Sequence, residues 1–310
     1  MPDSWVITGA ASGIGLATAR QVAALGSNVL LADVDAVALA AAEAVVRQGA
    51  NDANSIIVAK ICDVTSSADM RDLRDEAVRV LPGGVVDVLF LNAGVQASGV
   101  SVGKGRDKDW EWVLSVNVLG AQRGIFHFLP LLKQQAPRPS RIVATASVMG
   151  IGLAGPPSAT SAYCVSKHAL VALMESLSTE LHLAGLSDQI RTAVLCPGGV
   201  SSEFWNIERQ ERQRRVEDRR EMSSRRQEAL RAFFQPGGAI ISPEAVARQL
   251  IRGLERDEFI IDTHAGLVPA LAKVRAEYIV AGKRPAEALV TNIKTTKVWL
   301  EKAQGRLSAL

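Results

Sequence analysis

The chain has 310 residues, 48% of them hydrophobic and 22% charged, with a formal net charge of +3. That length supports one large α/β domain or two small ones, and the composition is that of an ordinary globular protein, which excludes disordered and fibrous classes. Cys62, Cys164 and Cys196 stand far apart with no C-x-x-C pair, so neither a disulfide framework nor a structural zinc site is expected.

Trp5-Val6-Ile7 already reads as a strand, leaving no room for a leader, and no apolar run approaches the ~20 residues needed to span a bilayer. A cytoplasmic protein without membrane contact is expected. Strands are predicted over 5–8, 28–32, 55–62, 86–92, 140–147 and 191–196. Their β-branched, nearly unbroken apolar character suits strands covered on both faces. Helical spacing recurs between them, over 15–25, 37–48, 68–80 and 163–184. Strict alternation of strand and helix predicts an α/β fold, a doubly wound parallel sheet with helices on both faces. Beyond Cys196-Pro197-Gly198-Gly199 the composition changes, and residues 208–231 are crowded with arginine and interleaved acids. Ser242-Pro243-Glu244 reads as a helix start with proline at the first position. A last strand is predicted over 258–262, and the tail from 267 onward is helical in pattern.

The first strand runs into Thr8-Gly9-Ala10-Ala11-Ser12-Gly13-Ile14-Gly15, which opens a helix. In that context Gly9 permits the tight turn, Gly13 lets the backbone approach a pyrophosphate, and Gly15 allows close helix–strand packing. The helix N-terminus offers N–H groups and a positive dipole end to the phosphates. Asp33 ends the second strand, where an acid accepts hydrogen bonds from a ribose 2′-OH and repels a 2′-phosphate. Nothing basic in the turn offsets that repulsion, so NAD is expected over NADP; the competing reading of Asp33 is a turn residue ahead of Val34-Asp35. Asp63-Val64 follows the third strand, placed to bond an adenine amino group, and Asn92-Ala93-Gly94 ends the fourth. Both positions fall at the carboxyl edge of the sheet, where open α/β folds bind ligands, although each read alone is also ordinary turn chemistry.

Tyr163-Cys164-Val165-Ser166-Lys167 is the sharpest pattern in the chain. Positions i and i+4 share one helix face, so phenol and ammonium point the same way. A free tyrosine titrates near ~10, so about one in a thousand is ionised at neutral pH. A nearby Lys⁺ favours the phenolate and makes it a useful acid–base group. Lys167 also reaches a nicotinamide ribose. Ser147, at the end of the fifth strand, is placed to donate to a substrate oxygen as charge develops. Asn117, in a helical segment, is placed to bond water through its amide. Singly, each has a dull explanation: a chance helix pair, a strand-end hydroxyl, a satisfied core amide. Cys164 and His168, one turn apart, can share a metal, but with no third ligand nearby a packed helix face is the better reading.

Taken together, these residues resemble the short-chain dehydrogenase/reductase family. Its T-G-x-x-x-G-x-G turn is matched by Thr8, Gly9, Gly13 and Gly15, its N-A-G by Asn92-Ala93-Gly94, and its P-G after the sixth strand by Pro197-Gly198. Its catalytic Asn, Ser, Tyr and Lys match Asn117, Ser147, Tyr163 and Lys167. The resemblance runs from about residue 5 to 200, with the motifs in family order. It implies a Rossmann-type sheet of about seven strands in a single domain over 1–310. A substrate lid falls at about 201–240 and a helical extension at about 265–310. The implied cofactor contacts are Gly9, Ser12, Gly13, Ile14, Gly15, Asp33, Asp63, Val64, Asn92, Ala93, Gly94, Tyr163, Lys167, Pro197, Gly198 and Val200.

The resemblance also implies an NAD-dependent oxidoreductase acting on a secondary alcohol or ketone, with a homodimer or homotetramer built on the fourth and fifth helices. Two departures stand out. The gap from Ser147 to Tyr163 is a few residues longer than usual, through a Gly/Pro-containing loop over 151–161. The family's threonine after Pro-Gly is replaced by Ser201 and Ser202. The arginine-rich stretch can neutralise phosphates, but its interleaved acids and lack of aromatic residues favour a solvated lid over nucleic-acid binding. Phe204, Trp205, Phe233 and Phe234 flank it, either capping an apolar pocket, the reading that favours a bulky, hydrophobic substrate, or anchoring the lid to the core. The rival from another class is a dinucleotide sensor that performs no catalysis on the same fold.

Overall fold

In the computed structural model the described residues are 3–97, 102–103, 105–152, 161–202, 204, 240–282 and 284–285. Seven strands form one sheet: β1 (Ser4–Thr8), β2 (Asn28–Asp33), β3 (Ile57–Ile61), β4 (Val88–Leu91), β5 (Ser140–Thr145), β6 (Ile190–Cys196) and β7 (Ile260–Asp262). They lie in the order β3-β2-β1-β4-β5-β6-β7, and every pair is parallel. The predicted parallel sheet is therefore present, with its edges shorter than expected: 55–62 shrinks to five residues and 258–262 to three.

Alternation along each strand explains why both faces are apolar. Val6, Leu30, Leu89, Ile142 and Val194 point into one core, and their successors Ile7, Leu31, Phe90, Val143 and Leu195 into the other. The first core is closed by helices α3 (Ser67–Val80), α5 (Gly120–Gln134) and α6 (Ser161–Leu183), through Met70, Leu73, Phe128, Leu132, Leu170 and Met174. The second is closed by α1 (Gly13–Ala24), α2 (Ala36–Gln48) and α7 (Pro243–Glu255), through Ala19, Val22, Leu39, Val46, Val246 and Leu250. A helix α4 (Asp107–Leu114) runs into α5 through a π turn, Ser115–Leu119, and α8 (Leu267–Val280) follows β7. The helix expected at Pro243 is capped as the sequence implies: the Ser242 hydroxyl accepts from the Ala245 N–H at 3.2 Å.

The strand order reverses between β1 and β4, which opens a crevice at the carboxyl ends of the strands. Among the described residues no helix is long and apolar enough to cross a membrane, and no group of three or more His, Cys, Asp or Glu is arranged to hold a metal. The arginine-rich stretch 208–231, Trp205, Phe233, Phe234, most of the 151–161 loop and the tail beyond 285 lie outside the described residues.

Candidate active site

The crevice floor begins at the glycine turn. Gly9 adopts φ +66° and Gly13 φ +53°, left-handed values that L side chains rarely tolerate. A Cβ on Gly15 would stand 2.2 Å from the Gly9 carbonyl oxygen, so only glycine lets α1 start this close to β1. Ser12 caps α1 in extended conformation and its hydroxyl makes no cap bond, leaving it beside the helix N-terminus with Ile14 on the first turn.

Each successive loop contributes to one row along the carboxyl edge. Asp33, 9% exposed, braces the turn: one carboxylate oxygen accepts from the Ala11 N–H at 3.0 Å, the other from the Asp35 N–H at 3.0 Å. Asp63 accepts from both the backbone N–H and the hydroxyl of Thr65 at 2.8 Å, and Val64 packs toward Gly120. Asn92 ties β4 to β1: its amide donates to the Thr8 and Gly9 carbonyls at 3.2 Å each and accepts from the Thr145 hydroxyl at 3.0 Å. The Thr8 hydroxyl in turn accepts from the N–H groups of Asn92 and Ala93. Pro197, Gly198 and Val200 follow β6, where Val200 bridges to Ile241. From the β3 end to the β6 end this row crosses five strand spacings, roughly 24 Å.

The four residues expected to carry chemistry gather at the β4–β6 end. Lys167 is 2% exposed; its Nζ donates to the Thr145 carbonyl at 2.6 Å and lies 5.5 Å from the Tyr163 ring centroid. Burial holds its pKa down at about 8. Tyr163 is half-buried, with its phenol beside the Ser147 side chain. Burial pushes the phenol upward, and the Ser147 contact pulls it back. A bare Tyr–Lys pair leads one to expect a lowered phenol, and in this pocket desolvation reverses the direction. Ser147 is not a strand residue; it caps a short 3₁₀ turn, Val148–Gly150, accepting from the Met149 N–H at 3.1 Å and donating to the Pro197 carbonyl at 3.3 Å.

Asn117 departs further from expectation. It sits in the π turn, buried at 1%, and clamps residue 95: Oδ1 accepts from the Val95 N–H at 2.8 Å while Nδ2 donates to the Val95 carbonyl at 2.9 Å. Its second amide proton goes to the Ser166 hydroxyl at 2.9 Å, so both amide protons are committed to protein rather than to water. Asn117 and Lys167 nonetheless face one point: a Cβ on Gly94 would come 3.4 Å from Lys167 Nζ and 3.5 Å from Asn117 Oδ1. The His168 ring turns to the backbone, its Nδ1 bonded with the Cys164 carbonyl at 2.9 Å.

Sequence reasoning missed several participants. Ser166 sits inside the Tyr-to-Lys segment and links it to Asn117, donating to the Tyr163 carbonyl at 2.7 Å. Thr145, two residues ahead of Ser147, supplies the lysine's acceptor. Of the two serines after Pro197-Gly198, Ser202 faces the glycine turn, 3.5 Å from where a Gly13 Cβ would stand, while Ser201 turns to the Ile241 carbonyl. Phe204 packs on the Tyr163 ring, centroids 5.5 Å apart and tilted by 54°.

The positive-φ glycine turn, the free Ser12 hydroxyl at a helix N-terminus and the space that glycine keeps open beside Lys167 suit an extended dinucleotide. The comparisons agree with that fit. A solved short-chain dehydrogenase/reductase from Burkholderia phymatum in complex with NAD superposes with a TM-score of 0.78 at 33% identity, covering 91% of this chain and 96% of that one. The 1-deoxy-11-beta-hydroxypentalenate dehydrogenase of Streptomyces avermitilis is 34% identical over 207 residues, 65% of this chain and 70% of that protein. The 15-hydroxyprostaglandin dehydrogenase [NAD(+)] of Mus musculus is 27% identical over 81% of this chain and 85% of that protein. The family model described as short chain dehydrogenase matches residues 4–213, about two-thirds of the sequence. The chain belongs to the short-chain dehydrogenase/reductase family of oxidoreductases.

Proposed function

We propose that the protein is an NAD-dependent dehydrogenase or ketone reductase acting on a secondary alcohol or its ketone, with Tyr163 as the acid–base group. The observation that carries this reading is the Tyr163 phenol beside Ser147 with the Lys167 ammonium 5.5 Å over its ring, at the carboxyl edge of a dinucleotide-type sheet. NAD would be held by the residues expected from the sequence, in strand order. Asp63 and Val64 lie toward the adenine and Asp33 at its ribose. Gly9, Ser12, Gly13, Ile14 and Gly15 lie at the pyrophosphate. Asn92, Ala93, Gly94, Tyr163 and Lys167 meet the second ribose, and Pro197, Gly198 and Val200 the nicotinamide. Bound NAD supplies the hydride acceptor.

The protein's own part follows from geometry. Tyr163 takes the alcohol proton on oxidation and returns one on reduction. Ser147 turns its hydroxyl from the Pro197 carbonyl to the substrate oxygen, stabilising charge there. Lys167, anchored on Thr145, holds ribose and favours the phenolate while it remains charged. Asn117 fixes residue 95 and, through Ser166, the start of the tyrosine helix. Phe204 against the phenol ring supports an apolar, bulky substituent on the alcohol. The named relatives from Streptomyces and mouse are both dehydrogenases of hydroxy compounds, in keeping with this substrate class.

The reading includes one domain over 1–310 with a lid at about 201–240 and an extension from about 265. It also includes a cytoplasmic homodimer or homotetramer. Exposed Leu119 and Phe126 on the helix broken by the π turn, with Val165 on α6, favour that assembly. The test is absorbance of reduced nicotinamide over a panel of bulky secondary alcohols, with NAD and with NADP, for the parent and for Tyr163→Phe. Turnover with NAD that the variant loses supports the proposal. Full turnover by Tyr163→Phe refutes the acid–base role, and cofactor binding with no turnover across alcohols and ketones favours a sensor.

A further inference from the structure

The Pro197–Gly198 peptide has two sides. Its carbonyl accepts from the Ser147 hydroxyl at 3.3 Å and the Val148 N–H at 3.0 Å. Its N–H donates to Nδ1 of His264 at 3.3 Å, across 66 residues of sequence. His264 follows β7 and is 4% exposed. Its ring lies directly against Gly198: a Cβ there would stand 2.9–3.1 Å from Cε1, Nδ1 and Nε2. The ring reaches this place because Asp262 turns the chain, one carboxylate oxygen accepting from the His264 N–H at 2.9 Å. The other accepts from the N–H groups of Gly266 and Val268 at 2.9 and 3.1 Å, where α8 begins.

A backbone N–H can only donate, so Nδ1 of His264 is an acceptor and the ring proton sits on Nε2. The Thr263 hydroxyl oxygen lies 2.8 Å from the same nitrogen, so the two neighbours share its single lone pair. The peptide N–H points at His264, its carbonyl accepts from Ser147, and the Ser147 oxygen in turn accepts from the Met149 N–H. The bonds on both sides of the peptide fix its place, and with it the place of the Ser147 oxygen that its carbonyl holds.

We infer that His264 is a positioning residue, which holds the Pro197–Gly198 peptide in place and through its carbonyl seats Ser147 beside Tyr163. It touches neither substrate nor reacting atoms. The inference rests on the proposed roles of Ser147 and Tyr163 for its effect on turnover, but not for the ring's tautomer.

The chain holds four histidines, so the ring nitrogens are separable in a ¹⁵N spectrum, with His264→Asn identifying the signals of His264. In the protein alone, Nδ1 of His264 shows as the unprotonated, accepting nitrogen; a proton on Nδ1 overturns the inference, whatever the enzyme turns over. In turnover, His264→Leu lowers kcat about tenfold, one hydrogen bond's worth, and leaves NADH affinity within about threefold by nucleotide fluorescence. His264→Asn, which keeps an acceptor for the Gly198 N–H, restores kcat to within about twofold of the parent. Parental kcat in the leucine variant, or equal losses in both, overturns it.

Discussion

Lys167 donates to the main-chain carbonyl of Thr145 at 2.6 Å from a site that is 2% exposed. The same burial that aims the ammonium at the Tyr163 ring makes it expensive to keep charged. Its pKa falls from 10.5 to about 8.

A pH-dependent stability follows. The unfolded chain keeps this proton up to about 10.5 and the folded chain releases it near 8. Unfolding therefore takes up a proton between those values, and stability rises with pH across that window. Below pH 8 the buried charge costs roughly 3 kcal/mol. Lys167→Met removes that cost together with the hydrogen bond to Thr145. Urea unfolding of both proteins at pH 7 and pH 10 is expected to show the parent gaining roughly 3 kcal/mol on the variant as pH rises. A difference that stays flat across the window would mean the lysine is not held near 8. Turnover by the variant is expected to fall about a hundredfold or more at every pH.

Asn117 offers a test of position rather than chemistry. Its amide satisfies both backbone groups of Val95 and one bond of Ser166, all buried. Asn117→Ala strands those groups, and the expected loss is roughly 2–4 kcal/mol of unfolding free energy. Asn117→Asp keeps the acceptor for the Val95 N–H but turns a carboxylate toward the Val95 carbonyl, so it is expected to be no better. A thermal melt within a degree of the parent for either variant would rule out the clamp.

Much of this was legible before the structure, for identifiable reasons. The glycine turn is a local backbone requirement, so Gly9, Gly13 and Gly15 announce it. Tyr163 and Lys167 are one helical turn apart, and that spacing alone puts them on one face. What the sequence did not disclose is non-local or breaks a period. The π turn at Asn117 inserts one residue into helical spacing and redirects a side chain that periodicity alone treats as ordinary. Ser147 belongs to a cap because the chain leaves the sheet at Thr145, which no apolar pattern marks. His264 meets Gly198 only because β7 docks beside β6, a pairing that a separation of 66 positions along the chain conceals.

Asp33 separates two readings that the sequence left side by side. As a turn residue it braces the glycine loop, through the Ala11 and Asp35 N–H groups. As a ribose ligand it uses its remaining lone pairs on the 2′-OH and repels a 2′-phosphate. Both roles predict weaker NAD binding in Asp33→Ala and Asp33→Asn, because either change strips an acceptor from the turn. Only the second predicts a gain for NADP, since only it involves charge against charge. The expected outcome is a fall in kcat/KM with NAD of about tenfold or more, while the value with NADP rises, moving the preference by roughly two orders of magnitude. If both cofactors weaken by the same factor, Asp33 is a brace and nothing more, and the preference for NAD must be set elsewhere in the crevice.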